Sequence, residues 1–282
     1  MGLLRMAAVS APFGRDLGEA FARIAALVAE ARAADVGLLV LPEAALGGYL
    51  TDLEGAAEPP PALDPAGREI ATLASLAGDL VVCAGFCEQA QDGVYNSAVC
   101  VTGDGVLGLH RKVHQPLRED ASYAAGDGFA AFDTPVGRLG MQICFDKAFP
   151  EAARDQALAG ARVICSLSAW PLSRTDRHPD PAQDRWTRRM DLFDRARALE
   201  NQLVWVAANQ YGTFGDLRFA ANAKIVDPGG EILAATGQAE GLAVAALDVE
   251  ATVDAARAAM SYLRDRRPET YAAGGGRSIT VA

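Results

Sequence analysis

Histidine is scarce in this chain of 282 residues: there are three, His110, His114 and His178. None stands in a setting that marks a Cys-His or Ser-His-Asp triad, so a nucleophile here needs another base. His110 and His114 would share a face only if their segment were helical. It reads instead as strand running into loop, with no third ligand nearby, and no metal centre is expected. Long apolar runs are missing too. None approaches the ~18 residues that a bilayer span requires, and Met1 to Ser10 carries one charge before entering strand-like sequence, so neither a signal peptide nor an anchor is expected. No lysine or arginine stripe offsets the formal net charge of −10, which argues against nucleic acid or acidic membrane as a partner. No Gly-x-Gly-x-x-Gly follows a strand, and Gly274-Gly275-Gly276 reads as flexible loop, not as a phosphate cradle. The five cysteines, an odd number, lie in or beside apolar strand-like segments and read as the reduced thiols of a cytoplasmic protein.

What the chain does have is a hydrophobic half, enough for a substantial core. Leu4 to Ser10 is a short apolar run. Gly18 to Ala34 then sets Phe21, Ile24, Leu27 and Val28 on one side of a helix, and Val36 to Leu41 is apolar throughout, as a strand covered on both faces would be. Ala66 to Ala77 is helical in pattern. Strands follow over Leu80 to Glu88, Val94 to Val101 and Val106 to Arg111, separated by the turns Asp92-Gly93 and Gly103-Asp104-Gly105. Further strands are expected over Arg138 to Cys144, Val163 to Leu167 and Leu203 to Asn209, with helices over Pro150 to Ala159 and Arg185 to Asn201. Asn222 to Val226 and Glu231 to Ala235 read as an antiparallel pair that Leu242 to Asp248 joins. With no linker-like tract between them, these elements predict one α/β domain over residues 1–282, its helices packed on a mixed sheet or two stacked sheets. The polar tail from Ser261 to Ala282 is set apart as a segment that could dock on another subunit.

Three residues stand where α/β sheets place chemistry. Glu43 emerges as the apolar run Leu38-Leu39-Val40-Leu41-Pro42 ends, at a strand's carboxyl end, where a carboxylate can serve as general base. Cys144 closes the strand Leu139 to Ile143 shortly before the helix at Pro150. Backbone N–H groups and the helix dipole at such a turn favour thiolate and can hold an oxyanion. Lys112 lies in His110-Arg111-Lys112-Val113-His114. Taken singly, each has a plainer reading: a buried core thiol, a solvated loop carboxylate, a charged strand edge.

Taken together, Leu41-Pro42-Glu43, His110-Arg111-Lys112-Val113-His114 and Ile143-Cys144-Phe145-Asp146, continuing through Phe149-Pro150-Glu151, resemble the glutamate, lysine and cysteine motifs of the nitrilase superfamily of carbon-nitrogen hydrolases. Arg195 to Asn201 and Val226-Asp227-Pro228-Gly229-Gly230 extend the likeness over nearly the whole chain. The resemblance implies a four-layer α-β-β-α sandwich that dimerises or assembles further, and neither metal nor organic cofactor. It implies a triad of Glu43, Lys112 and Cys144, with Glu119 orienting Lys112 and the substrate or water, and the Phe145 backbone N–H holding the oxyanion. Members that attack nitriles usually show tryptophan and then glutamate after the cysteine. Phe145 and Asp146 stand there instead, which favours amides. Lys147 falls where carbamoylases for amino acids carry a basic residue that grips the substrate carboxylate, and Arg174 is a second candidate, both also readable as surface charges. Tyr49 and Trp170 are expected as pocket walls or as core. The expected activity is thioester-forming hydrolysis of a small amide with release of ammonia. The alternatives are an N-carbamoyl amidohydrolase that also releases carbon dioxide, a nitrilase, and a binding module without catalysis.

Overall fold

The computed structural model describes residues 2–52 and 59–271. Two β-α-β units open the chain: β1 (Leu4–Ala11), α1 (Leu17–Ala33), β2 (Leu38–Val40), then β3 (Ala62–Leu63), α2 (Arg68–Ala77) and β4 (Val81–Gln89). A meander follows, β5 (Val94–Thr102) and β6 (Gly105–Arg111), and then the hairpin of β7 (Ala131–Thr134) and β8 (Gly137–Ile143). Next come α3 (Pro150–Leu158), β9 (Val163–Ser168), α4 (Arg185–Asn201) and β10 (Val204–Gln210). The chain continues with the small pair β11 (Thr213–Phe214) and β12 (Leu217–Arg218), then β13 (Lys224–Val226), β14 (Ile232–Ala235), β15 (Gly241–Leu247) and α5 (Val249–Ala259). Aspartates cap three of the helices: Asp16, Asp184 and Asp248 accept from first-turn N–H groups of α1, α4 and α5, satisfying donors that have no intrahelical partner.

The strand order is β6-β5-β4-β2-β1-β10-β9-β8-β7. β1 is the corner where this sheet folds over. Its residues Leu4 to Ser10 pair antiparallel with β15, while only Ser10 and Ala11 reach β10. The two halves therefore splay apart and face each other. Between them lies an apolar layer that takes alternate residues of β1, β2, β4 and β5 and meets them with residues of β8, β9 and β10: Met6, Leu38 and Cys83 on one side, Met141, Cys165 and Val206 on the other. The residues between these, such as Ala7, Leu39 and Val82, pack outward against Ile24, Leu27, Ile70 and Leu73 of α1 and α2. Ile164 and Trp205 pack outward against Ala153, Ala157 and Ala198 of α3 and α4. That is an α-β-β-α sandwich, in which successive residues of the central strands face opposite layers and both sets are buried.

Leu242 to Asp248 departs from expectation. Its strand does not join β13 and β14 by hydrogen bonds but pairs along β1, from Leu4 with Leu247 to Ser10 with Gly241. The edge of β1 needed covering, and an apolar alternating strand cannot tell from its own sequence which edge it will meet. Of the polar tail, Leu263 packs against the cluster around Trp205 and the Tyr262 N–H donates to Gln202. The tail thus starts out folded on its own chain. Residues 272–282, the triple glycine included, lie outside the described residues.

Candidate active site

The pairing directions bring the chemistry to one end. β2, β4, β8, β9 and β10 all run parallel to β1, and β6 is restored to that direction by two antiparallel steps through β5. The carboxyl ends of β2, β6, β8, β9 and β10 therefore lie together. Glu43 follows β2, Lys112 follows β6, Cys144 follows β8, Ala169 follows β9, and Gln210 ends β10.

Glu43 is completely buried. Its Oε1 accepts from Lys112 Nζ at 2.9 Å and Asn96 Nδ2 at 2.8 Å, and its Oε2 accepts from the Ala169 N–H at 2.6 Å. Gln210 Nε2 donates to its backbone carbonyl at 3.0 Å. The Lys112 ammonium also lies 2.8 Å and 2.7 Å from the two oxygens of Glu119, and the Tyr49 hydroxyl donates to that same carboxyl. Glu119 is pushed well above the ordinary carboxylate range, first by burial and then by the negative charges of Glu43 and Asp146. Burial and like charge thus strengthen the hold of Glu119 on a proton, while the Lys112 ammonium lies between the two carboxyl groups.

Cys144 is 5 % exposed and sits in the left-handed region at φ 48°. It opens a 3-10 turn, Cys144–Ala148. The expectation that this turn favours thiolate is not met. Burial, and next the Glu43 carboxylate, push the thiol well above its ordinary value, against the opposing pull of Lys112 and Lys147. These influences oppose the thiolate, so attack by the sulfur calls for a base to take its proton.

Asp146, two residues on, ties two motifs together. Its Oδ1 accepts from the N–H groups of Val113 and His114 and lies 3.0 Å from His114 Nδ1, while Oδ2 accepts from the Ile143 N–H and lies 3.0 Å from His110 Nε2. Burial alone would raise its carboxyl, yet these partners hold it well below the usual range. Both histidines of the lysine motif are thus hydrogen-bonded to one aspartate, and among the described residues no group of histidine, cysteine and acid side chains is arranged around a metal.

A cavity of about 570 Å³ opens above Cys144, walled by Tyr49, Phe145, Trp170, Trp186 and Phe193, with Arg189 also in its lining. Tyr49 and Trp170 are thus both wall residues. Lys147 is not. Its ammonium is buried on Asp194 at 2.7 Å and lies 5.7 Å from the Trp170 ring, so it braces a wall from behind instead of reaching the cavity. Arg174 is exposed on the polar stretch after β9 and is likewise absent from the lining. The cation that does line the cavity, Arg189, escaped the sequence reading, as did Asn96. A polar side chain inside the apolar strand Val94 to Val101 was the available signal for Asn96.

The carbon-nitrogen hydrolase family model matches residues 5–257. An (R)-stereoselective amidase of a Pseudomonas species is 35% identical over 239 residues, 83% of this chain and 81% of that protein. The N-carbamoylputrescine amidase of Solanum lycopersicum is 34% identical over 224 residues, 73% of each. A probable nitrilase of Schizosaccharomyces pombe is 34% identical over 186 residues, 65% of this chain, and the match spans 64% of that relative's length. Among solved structures, the carbon-nitrogen hydrolase of Helicobacter pylori G27 superposes with a TM-score of 0.81 at 26% identity, over 95% of this chain and 97% of that one. The chain belongs to the carbon-nitrogen hydrolase family, the nitrilase superfamily, and with that to a class of enzymes that cleave carbon–nitrogen bonds.

Proposed function

We propose that the protein is a cytoplasmic, cysteine-dependent amidase that hydrolyses a small amide through a thioester on Cys144 and works as a homodimer or higher homo-oligomer. The observation that carries this is the Glu43–Lys112–Glu119 cluster beside a buried thiol at the floor of a cavity. Glu43 Oε2 has one backbone donor, from Ala169, and a second lone pair free to take the thiol proton. Attack on the carbonyl carbon then forms the C–S bond. Lys112 spends two of its three N–H donors on Glu43 and Glu119. The third can meet the oxyanion, together with the Phe145 N–H at the unsatisfied start of the 3-10 turn. The C–N bond breaks as Glu43 returns the proton to the departing ammonia. Glu43 next deprotonates the water that hydrolyses the thioester, so one carboxylate acts as base, acid and base again.

N-carbamoyl compounds are the second reading, favoured by the 34% identity to an N-carbamoylputrescine amidase. Measuring ammonia and carbon dioxide from a panel of amides, ω-amides, carbamoyl compounds and nitriles separates the two. With Glu43→Gln, we expect turnover to fall ~100-fold to 10,000-fold and an acyl adduct on Cys144 to accumulate in intact-mass spectra. Cys144→Ala should show neither turnover nor adduct. Absence of both ammonia and adduct across the panel would falsify the assignment.

A further inference from the structure

Resting on the amidase reading, we infer that the cavity selects amides with a flat apolar body and an anionic group at the far end, which pairs with Arg189. Aromatic residues make up 7% of the chain, yet five of them wall this one cavity, including two of the three tryptophans. These walls are fixed in place. The Trp170 indole N–H donates to the Trp186 carbonyl at 2.9 Å, the Trp170 backbone N–H donates to Asn209 at 2.7 Å, and Trp170 and Phe193 meet edge to face. A preformed aromatic slot rewards a rigid planar ligand because little side-chain freedom remains to be lost on binding.

Arg189 lies on α4, one residue before the buried Met190, and its side chain is exposed. Since Cys144 is almost fully covered and Arg189 is open to solvent, the nucleophile marks the floor of the cavity and the guanidinium its mouth. Of the described residues that line the cavity, Arg189 alone carries a formal charge. No hydrogen bond or ion pair engages it among the described residues. Lys147 and Lys224, by contrast, are consumed by Asp194. An uncommitted guanidinium beside apolar walls suits a carboxylate, which it can bind through two parallel hydrogen bonds. It repels an ammonium in the same place.

The test compares 3-(4-carboxyphenyl)propanamide, neutral 3-phenylpropanamide and 3-(4-aminomethylphenyl)propanamide. We expect wild-type kcat/KM to favour the carboxylate over the neutral amide about fivefold, mainly through KM, with the ammonium compound poorest. The gain is modest because the pair sits at a solvated mouth, and it should shrink in 0.5 M salt. Arg189→Gln should bring the carboxylate-to-neutral ratio to about one, and Arg189→Glu should turn the preference toward the ammonium compound. A loss caused only by disturbed folding would not reverse the order. Equal ratios in wild type and both variants overturn the inference while leaving the amidase reading intact. If wild type hydrolyses none of the three, calorimetric binding of the same amides to Cys144→Ser protein decides. The same fivefold preference, lost with the additional Arg189→Gln, supports the inference, and indifference to charge overturns it.

Discussion

Glu119 is a buried carboxyl group whose hold on a proton the fold strengthens, and this makes stability depend on pH. Its folded-state affinity for the proton is raised by burial and by Glu43. The folded protein therefore holds a proton that the unfolded chain releases above the ordinary value of 4.5. Stability from this group is complete below that pH and drains away as pH rises toward the raised value. Asp146 and Asp194 act in the opposite sense. Both are desolvated, but His110 and His114 around Asp146, and Lys147 and Lys224 around Asp194, hold them low, so their contribution is present above the ordinary 3.8 and is lost as pH falls below it. We expect Glu119→Gln to remove the first slope alone. In urea unfolding at pH 5, 7 and 9, the variant should gain on wild type as pH rises, and parallel curves would contradict a raised proton affinity at Glu119. Close packing is also strict around the base. A Cβ on Gly85 would stand 2.3 Å from the Ala44 nitrogen and 2.7 Å from the Glu43 Cα, so only glycine lets β4 lie this near the turn that carries Glu43.

The strands and turns carry most of what could be read in advance. Glu43 and Cys144 stood out because each closes an apolar strand, a signal local to its own segment, whereas Lys112 follows a half-exposed strand and stood out through the likeness of its motif. Asn96 did not, since its role depends on β5 pairing antiparallel with β4, whose turn partner Glu43 is 53 residues away. Arg189 was hidden for a related reason. It sits beside Arg188 in sequence, and consecutive helical residues point about 100° apart. Arg188 borders a hollow on the outer face of α4 with Leu192, whereas Arg189 lines the cavity. Which of the two faces the cavity is decided by the neighbouring layer alone. Asp146 was in plain view within the cysteine motif, yet its partners lie on the segment after β6. This clamp sets Cys144 against Lys112. Asp146→Asn keeps the shape but removes one of the two acceptor oxygens, leaving buried donors unpaired at a cost of about 3 kcal/mol. We expect a lower urea midpoint and a kcat reduced more than tenfold. A kcat within twofold of wild type would show that the clamp does not position the nucleophile.

At the scale of the whole molecule, the outer face of α4 is where we place the contact of the proposed homo-oligomer. Leu192 and Leu199 lie seven residues apart on one helical face and are 66% and 44% exposed, and on β14 Ile232 and Leu233 are 42% and 44% exposed. A hollow of about 560 Å³ lined by Leu192 and Leu199 is bordered by Arg188, Asp191, Arg195 and Glu231. Charges of both signs around an apolar centre make a surface that can complement itself across a twofold axis. Such a contact would bear on the site, because α4 carries Leu192 and Leu199 outward, Arg189 and Phe193 into the cavity, and Asp194 beneath Lys147. Association that steadies α4 would steady the cavity wall. Leu192→Asp combined with Leu199→Asp places two charges in that apolar centre, and light scattering behind size exclusion should then report a monomer where wild type reports a dimer or larger. Kinetics should follow, with KM rising more than kcat falls, since α4 bears walls and the mouth cation and not the nucleophile. A wild-type protein that is monomeric at tens of micromolar, or a double variant that keeps its mass, would remove α4 from the interface.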